Sequence, residues 1–194
     1  SATSRMRQSA HPSRSEGACP LIRVRRSKIH GSGVFAAGAI PRGARIIEYV
    51  GERVSHAEAD RRYEGRPVDD AHTFLFTVDE KTVVDAGVGG NEARYINHSC
   101  KPNCETEVTR GRIWVRARRR ISPGEELSYD YAFVGALAEP CNCGAASCRG
   151  LIVDPDPDEL AAIPAPLRHH LRLAQPARAE GGSSQSKLDL RPEA

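Results

Sequence analysis

Apolar and polar positions alternate over short runs separated by turn residues, and this pattern dominates residues 21 to 131. Leu21-Ile-Arg-Val24 alternates weakly and is placed to open a sheet, and Val34-Phe35 resumes an apolar strand after the turn His30-Gly-Ser-Gly33. Ile40-Pro-Arg-Gly43 marks the next turn, and Ile46-Ile-Glu-Tyr-Val50 reads as a strand. Thr73 to Val78 with Thr82 to Asp85 predicts one hairpin; Glu105 to Thr109 with Arg112 to Arg116 predicts another, turning at Arg110-Gly111. Ser122-Pro-Gly124 then turns into Leu127 to Tyr131. The clear helix is short: Ser55 and Glu58 form a capping-box pattern ahead of Arg61, Arg62 and Tyr63, with Gly65 as the stop. So many short strands with so little helix predict a compact, mainly β fold. Beyond Val153, the spacing of Leu160, Ile163, Leu167 and Leu171 predicts a helical tail broken at Pro164 and Pro166, able to dock on the rest.

Composition narrows where the fold lies. The chain has 194 residues, 39% of them hydrophobic, and apolar content thins toward both ends, so roughly residues 20 to 153 should carry the core. The net charge of +3 conceals a gradient, since residues 1 to 30 hold seven Arg and Lys against Glu16 alone. Residues 1–20 read as a disordered basic leader suited to weak contact with nucleic acid or an acidic partner, and 181–194 as low-complexity. No apolar run approaches the ~18 residues that span a bilayer, and a soluble, intracellular chain is expected. There is no Gly-x-Gly-x-x-Gly leading into a helix, which disfavours a Rossmann-type nucleotide site.

The cysteines point to metal. Cys141-Asn-Cys143-Gly-Ala-Ala-Ser-Cys148 places three thiols within eight residues among small side chains that let the chain wrap one ion. Tetrahedral zinc takes four ligands, and the stretch Asn97-His-Ser-Cys-Lys-Pro-Asn-Cys104 offers Cys100 or Cys104 as the fourth. Four thiolates leave no open coordination position, so such a zinc is structural, clipping the C-terminal segment onto a distant loop.

Three segments together resemble a known family. Arg94-Tyr-Ile-Asn-His-Ser-Cys100, Glu126-Leu-Ser-Tyr-Asp-Tyr131 and the Cys-x-Cys-x4-Cys tail look like the SET domain of protein lysine methyltransferases with its post-SET zinc loop. His30-Gly-Ser-Gly33, Glu48-Tyr-Val-Gly-Glu52 and Asp85-Ala followed by Gly90-Asn91 occur in family order, so the resemblance runs from about Ile29 to Ile152. Tyr-Asp-Tyr-x-Phe at 129–133 and Pro-Cys-Asn-Cys-Gly-Ala at 140–145 resemble the trithorax-like branch. The boundaries implied are a SET domain over 21–135, a post-SET loop over 136–153 and a tail over 154–194. The fold implied is several small sheets with a pseudoknot, in which the Asn97-His98 segment threads beneath the loop bearing Tyr129 and Tyr131. With spacing, the resemblance assigns the zinc to Cys100, Cys141, Cys143 and Cys148 and leaves Cys104 a bystander.

The same resemblance implies a site for S-adenosylmethionine. Main-chain groups of His30, Gly31, Ser32 and Gly33 would contact it, with Asn97 at its polar end and His98 on the adenine side. Phe133 and Asn142 would close over the adenine, Tyr95 would join the pocket, and His72 stands where many relatives carry Tyr. The nucleophile is the substrate lysine, whose free pKa of ~10.4 keeps it charged until a dry channel and a neighbouring positive charge lower it. Tyr131 is the expected catalytic residue, aligning amine and methyl group, while Tyr49 and Tyr129 line the channel. A hydroxyl at Tyr129 implies a product limited mainly to mono- or dimethyllysine. The substrate implied is a basic protein, histone or histone-like, with Glu64, Asp69, Asp70, Asp79 and Glu80 beside its path. The competing reading is a SET fold that binds peptide without turnover; intact Asn97, His98, Tyr129 and Tyr131 favour activity.

Overall fold

A computed structural model describes residues 21–64 and 74–172. The mainly β expectation holds, with small sheets in place of one large one. Strands β1 (Ile22–Arg26) and β2 (Ser32–Ala36) form an antiparallel pair. β3 (Arg45–Tyr49) joins the edge of a second sheet whose hairpin is β8 (Cys104–Thr109) and β9 (Arg112–Ala117), in the order β3-β9-β8. β4 (Glu52–Val54), β5 (Leu75–Thr77) and β6 (Val83–Asp85) make a third, with β6 central. The hairpin turns at Arg110-Gly111, both with positive φ (51° and 73°), as a tight two-residue β-turn requires.

Helix α1 (His56–Tyr63) starts where expected: Ser55 Oγ accepts the Glu58 N–H at 3.2 Å. Glu58 turns to Arg62 (2.7 Å) and Arg61, four and three residues along its own helix. The helix ends one residue before Glu64, so the expected stop at Gly65 lies outside the described residues. A 3-10 turn over Glu92–Tyr95, capped by Asn91 Oδ1 accepting from Ala93 N–H, was not legible in the alternation. It delivers the chain to β7 (Asn97–His98), which pairs in parallel with β10 (Ser128–Tyr129). Of the strand expected over Leu127 to Tyr131, only these two residues are in a ladder.

Eighteen buried residues drawn from β1, β2, β3, β6, β8, β9, β10, the 3-10 turn and the segments between them form the main core, with Val34, Ile40, Val115, Ile121 and Leu127 fully enclosed. Residues beyond Phe133 build a separate cluster. A 3-10 turn (Gly135–Leu137), the short antiparallel pair β11 (Glu139–Pro140) and β12 (Leu151–Ile152), α2 (Pro157–Ala161) and a 3-10 helix (Ala165–His170) surround Ala138, Leu151, Val153 and Ile163. Leu160, Leu167 and Leu171 pack against that cluster, so the tail docks through the apolar spacing seen in the sequence. The tail breaks between Ala161 and Ala165, with Pro164 as the cap of the next turn; the second break expected at Pro166 does not occur, because Pro166 sits in the first turn of the 3-10 helix, where no N–H is needed. Among the described residues no helix is long and apolar enough to cross a membrane.

Candidate active site and metal centre

The parallel β7–β10 pair is the centre of the site, because it lays two segments thirty residues apart side by side, Asn97 against Ser128 and His98 against Tyr129. Ser99 N–H closes onto Tyr129 O at 3.2 Å. Asn103 fixes the register: its Oδ1 accepts Ser128 N–H at 2.9 Å and its Nδ2 donates to Glu126 O at 2.8 Å. Neighbouring Glu125 is held by Arg119 and by Asn103, which bring its carboxyl down to about 2.

Asn97 ties the Gly-rich turn to this pair. Its Nδ2 donates to Ser32 O (3.0 Å), His30 O (3.2 Å) and Glu126 Oε1 (3.0 Å). The same carboxylate oxygen accepts Ser27 Oγ–H at 2.6 Å, and Ser27 Oγ caps the turn by accepting Ile29 N–H. A Cβ on Gly33 would strike the Glu126 carboxylate and Ser27, so glycine here is a space requirement. Glu126 is thus the hub that holds turn, Asn97 and β10 together. The sequence reading quoted it within a motif and gave it no role.

The tyrosines form one aromatic run. Ring centroids stand 5.0 Å apart for Tyr129–Tyr131, 5.6 Å for Tyr131–Phe133, 6.5 Å for Phe76–Tyr129 and 5.5 Å for Tyr49–Phe76. Phe76 is an addition to the expected set. Tyr131 donates to Ile96 O at 2.8 Å and Tyr49 donates to Phe74 O at 2.8 Å. Burial raises the pKa of all three tyrosines above the ordinary phenol value. They are therefore neutral hydroxyls at physiological pH. Tyr131 and Tyr49, with their protons committed to backbone carbonyls, present lone pairs that accept. Tyr95 stacks edge-on to Phe74 (6.1 Å), and its hydroxyl accepts from Arg94 at 2.6 Å.

His98 is buried and neutral, its pKa brought down to about 4 chiefly by loss of solvent. Its Nδ1 accepts Tyr131 N–H at 3.2 Å, which leaves Nε2 to meet Cys100 Sγ at 3.3 Å. One imidazole thereby joins the tyrosine loop to the cysteines. Cys100, Cys141, Cys143 and Cys148 bring their sulfurs within 4.8 Å of one another, with 3.7 Å between Cys100 and Cys141 and 4.0 Å between Cys100 and Cys148. Four thiolates around zinc at about 2.3 Å would stand about 3.8 Å apart, so the donor set fits that ion. N–H groups of Cys100, Arg149 and Gly150 point at Cys143, Cys100 and Cys148 sulfurs at 3.5, 3.4 and 3.3 Å, the partners that thiolate ligands accept. Burial pushes the Cys100 thiol up to about 11, so occupancy by a cation would displace protons. Cys104 is fully buried in the main core on β8, pushed up to about 12 by burial, and stands outside the group.

Glu139, two residues before Cys141, lies within electrostatic reach of both His30 in the turn and Tyr131. Glu139 is exposed to solvent yet crowded enough that desolvation raises its carboxyl, with His30 pulling it down and Tyr131 feeling its charge. His30, Gly31 and Ser32 are exposed, Asn142 is exposed and Phe133 is half-buried, an open rim above the buried Asn97 amide. His72, Asp69 and Asp70 lie outside the described residues. Asp79 accepts Lys81 N–H and Glu80 is exposed on the β5–β6 turn.

Small sheets linked by a parallel two-residue pair, a Gly-rich turn tied to an asparagine and a tyrosine run beside a four-cysteine loop define the class of protein. The profile of the SET domain matches residues 31–132, and the chain belongs to that family. It is 43% identical over 135 residues to Histone-lysine N-methyltransferase trr of Drosophila melanogaster and 43% over 138 residues to Histone-lysine N-methyltransferase 2B of Homo sapiens, each alignment covering 66% of this chain. It is 42% identical over 134 residues to the H3 lysine-4 specific enzyme of Schizosaccharomyces pombe, covering 65% of this chain. The chain spans only 6%, 5% and 14% of the length of these relatives, so it corresponds to one part of much larger proteins. A solved structure of ctPRC2 in an autoinhibited conformation bound to S-adenosylmethionine superposes with a TM-score of 0.54 at 36% identity, over 59% of this chain and 15% of that one. The trithorax-like and SET-fold expectations are both met.

Proposed function

We propose that the chain is a protein-lysine N-methyltransferase that uses S-adenosylmethionine and acts on a lysine of a basic protein, histone or histone-like. The observation that carries this reading is the β7–β10 pair, which sets the Asn97-anchored glycine turn and the Tyr129–Tyr131 hydroxyls on adjoining sides of one site. S-adenosylmethionine supplies an electrophilic methyl group when bound. Its holding residues in this reading are the backbone of His30 to Gly33, the Asn97 amide, His98, Tyr95, His72, Phe133 and Asn142.

The protein's own contribution is placement. Tyr49, Tyr129 and Tyr131 titrate high and His98 titrates low inside a closed network, so none of these four acts as a strong base at neutral pH. Tyr131 instead offers its oxygen lone pairs to the lysine amine while its O–H stays donated to Ile96 O. Tyr49, Phe76 and Tyr129 provide a dry wall that strips water from the amine and favours its uncharged form. Holding two reactants in line contributes up to ~7–11 kcal/mol in favourable cases. Cys100, Cys141, Cys143 and Cys148 would hold one zinc, whose role with four thiolate ligands would be structural rather than chemical.

Tyr129, 8% exposed, controls the extent of reaction in this reading. A hydroxyl beside the amine holds a partner or a water that a methylated nitrogen must displace. Mass spectrometry of one lysine peptide followed to exhaustion tests it: mono- and dimethyllysine are expected from the natural chain and trimethyllysine from Tyr129→Phe. Equal product distributions would show that Tyr129 only packs.

A further inference from the structure

We infer that the solvent face of the β3-β9-β8 sheet binds a single-stranded nucleic-acid segment, at a site separate from the methyl-transfer centre. Along β9 the inward positions Ile113, Val115 and Ala117 are buried, so Arg112, Trp114 and Arg116 line the outer face, and Arg110 of the hairpin turn and Arg118 beyond the strand extend that stripe at its two ends. Every member of that stripe is an arginine except the central one, and that one is the chain's single tryptophan. The repeat is about 6.8 Å, two strand residues, a comb of cations along a line.

A shallow, solvent-open depression lies at each end of the stripe. One, of about 360 Å³, is lined by Arg42, Arg116, Arg118 and Glu105; the other, of about 410 Å³, by Arg45, Thr109, Arg110, Arg112 and Trp114. Six arginines therefore stand over this face against Glu48, Glu105 and Glu107, a surplus of three positive charges. The glutamates hold the middle arginines in place: Glu48 takes Arg112 at 2.9 Å, and Glu107 takes Arg116 at 2.9 Å and Arg45 at 3.3 Å. Arg42, Arg110 and Arg118 are exposed and form no ion pair among the described residues. The fixed guanidiniums lie over the indole, Arg112 at 4.8 Å and Arg45 at 5.4 Å from its centroid.

Such a face suits a strand more than a duplex. Indole and guanidinium planes at its centre are stacking platforms, and only an unpaired base has a free face to offer them. The unpaired arginines at both ends are placed for phosphates, which a polymer of evenly spaced charge meets at several points together. An acidic polypeptide offers the charge without the stacking.

The lone tryptophan makes the test direct. A fluorescein-labelled twelve-residue oligothymidylate is titrated into the full chain at low salt, following anisotropy and Trp114 emission together. Expected are one saturable transition in both signals, an affinity falling linearly on a log–log plot against salt, and a loss of about tenfold or more in Arg110→Ala/Arg118→Ala at unchanged melting temperature. Trp114→Phe should bind more weakly than the natural chain while folding normally. The inference is overturned if emission does not change on binding, or if a duplex of equal length or polyglutamate binds as tightly. It is equally overturned if affinity drops only when Arg5, Arg7 and Arg14 of the leader are replaced, since the leader would then carry the contact.

Discussion

Among the described residues, two hydrophobic clusters are held by different means. The main one gathers eighteen buried residues from sheets, turn and hairpins spread over a hundred residues of chain, and no cross-link is needed to explain it. The second has four, Ala138, Leu151, Val153 and Ile163, beneath short elements that a few backbone bonds connect. Ordering a residue costs about 1–2 kcal/mol, while burying one such side chain returns about 1.5–3 kcal/mol, so a cluster this small depends on other ties. Those ties are visible. Arg149 makes a bidentate pair with Asp130 (2.7 and 2.8 Å), Arg172 N–H reaches Arg149 O at 2.6 Å, and Gly150 runs so close to His170 O that no larger residue would fit. The four converging cysteines would add another through the proposed zinc. The lesson is that the half of the site formed by the first cluster is built by burial, and the half formed by the second by charge and backbone ties, beside a cysteine group that could hold a metal.

That contrast breaks most sharply on metal removal. Structural zinc contributes on the order of 10–16 kcal/mol to the parts it holds. Chelation, or Cys141→Ser, should therefore release residues 139–152 to fast amide exchange while β3, β8 and β9 remain protected. Cys104→Ala is the control, expected to keep full zinc content by elemental analysis. Zinc retained in Cys100→Ser but lost in Cys104→Ala would reverse the ligand assignment.

A smaller effect is expected at the ion pair. Arg149 is 18% and Asp130 28% exposed, so the pair is partly screened and Arg149→Ala should cost about 1–3 kcal/mol, felt in the second cluster alone. Arg149→Lys should not restore it, because a point charge cannot make both bonds. A double-mutant cycle with Asp130→Asn, read by local exchange at 139–152, checks this; additive losses would show that the two residues act independently.

The smallest effect lies in the first cluster and depends on pH. Glu125, held by Arg119, has its folded pKa depressed to about 2, below its value of ~4.3 when unfolded. Its contribution is therefore full above about pH 4.3 and is lost as pH falls toward 2. Denaturation midpoints of the natural chain and Glu125→Gln should differ at pH 7 and converge near pH 2. A gap independent of pH would remove the charge from the account.

What the sequence revealed divides along the same line. The two hairpins, α1 and the proline break at Pro164 follow from local chemistry, and local chemistry is what alternation, caps and turn dipeptides encode. The four cysteines were legible because thiolate spacing is itself a constraint, and their sulfurs do converge. The strand expected from Leu127 onward shrank to two residues because the tyrosine loop leaves the ladder to reach His98 and Ile96. Glu126 as a hub, Phe76 in the aromatic run and the pairing of Arg149 with Asp130 could not be read. Each joins residues far apart in the chain, and no local pattern marks which carboxylate or ring will meet which partner. Glu126 and Asp130 did stand inside the quoted motif Glu126-Leu-Ser-Tyr-Asp-Tyr131, the one signal available for them.

The central claim is that Tyr131 acts on alignment while Asn97 acts on holding S-adenosylmethionine, two functions on the two sides of the β7–β10 pair. Calorimetry with S-adenosylmethionine, run beside labelled methyl transfer to histone for Tyr131→Phe and Asn97→Ala, separates them. The account predicts that Tyr131→Phe binds S-adenosylmethionine nearly as the natural chain does yet transfers at least about a hundredfold more slowly, a loss of about 2.7 kcal/mol or more in transition-state stabilisation. Asn97→Ala should instead lose binding, with transfer partly recovered at high S-adenosylmethionine. Full transfer by Tyr131→Phe, or no transfer by the natural chain to any lysine-containing protein despite tight binding, would contradict it.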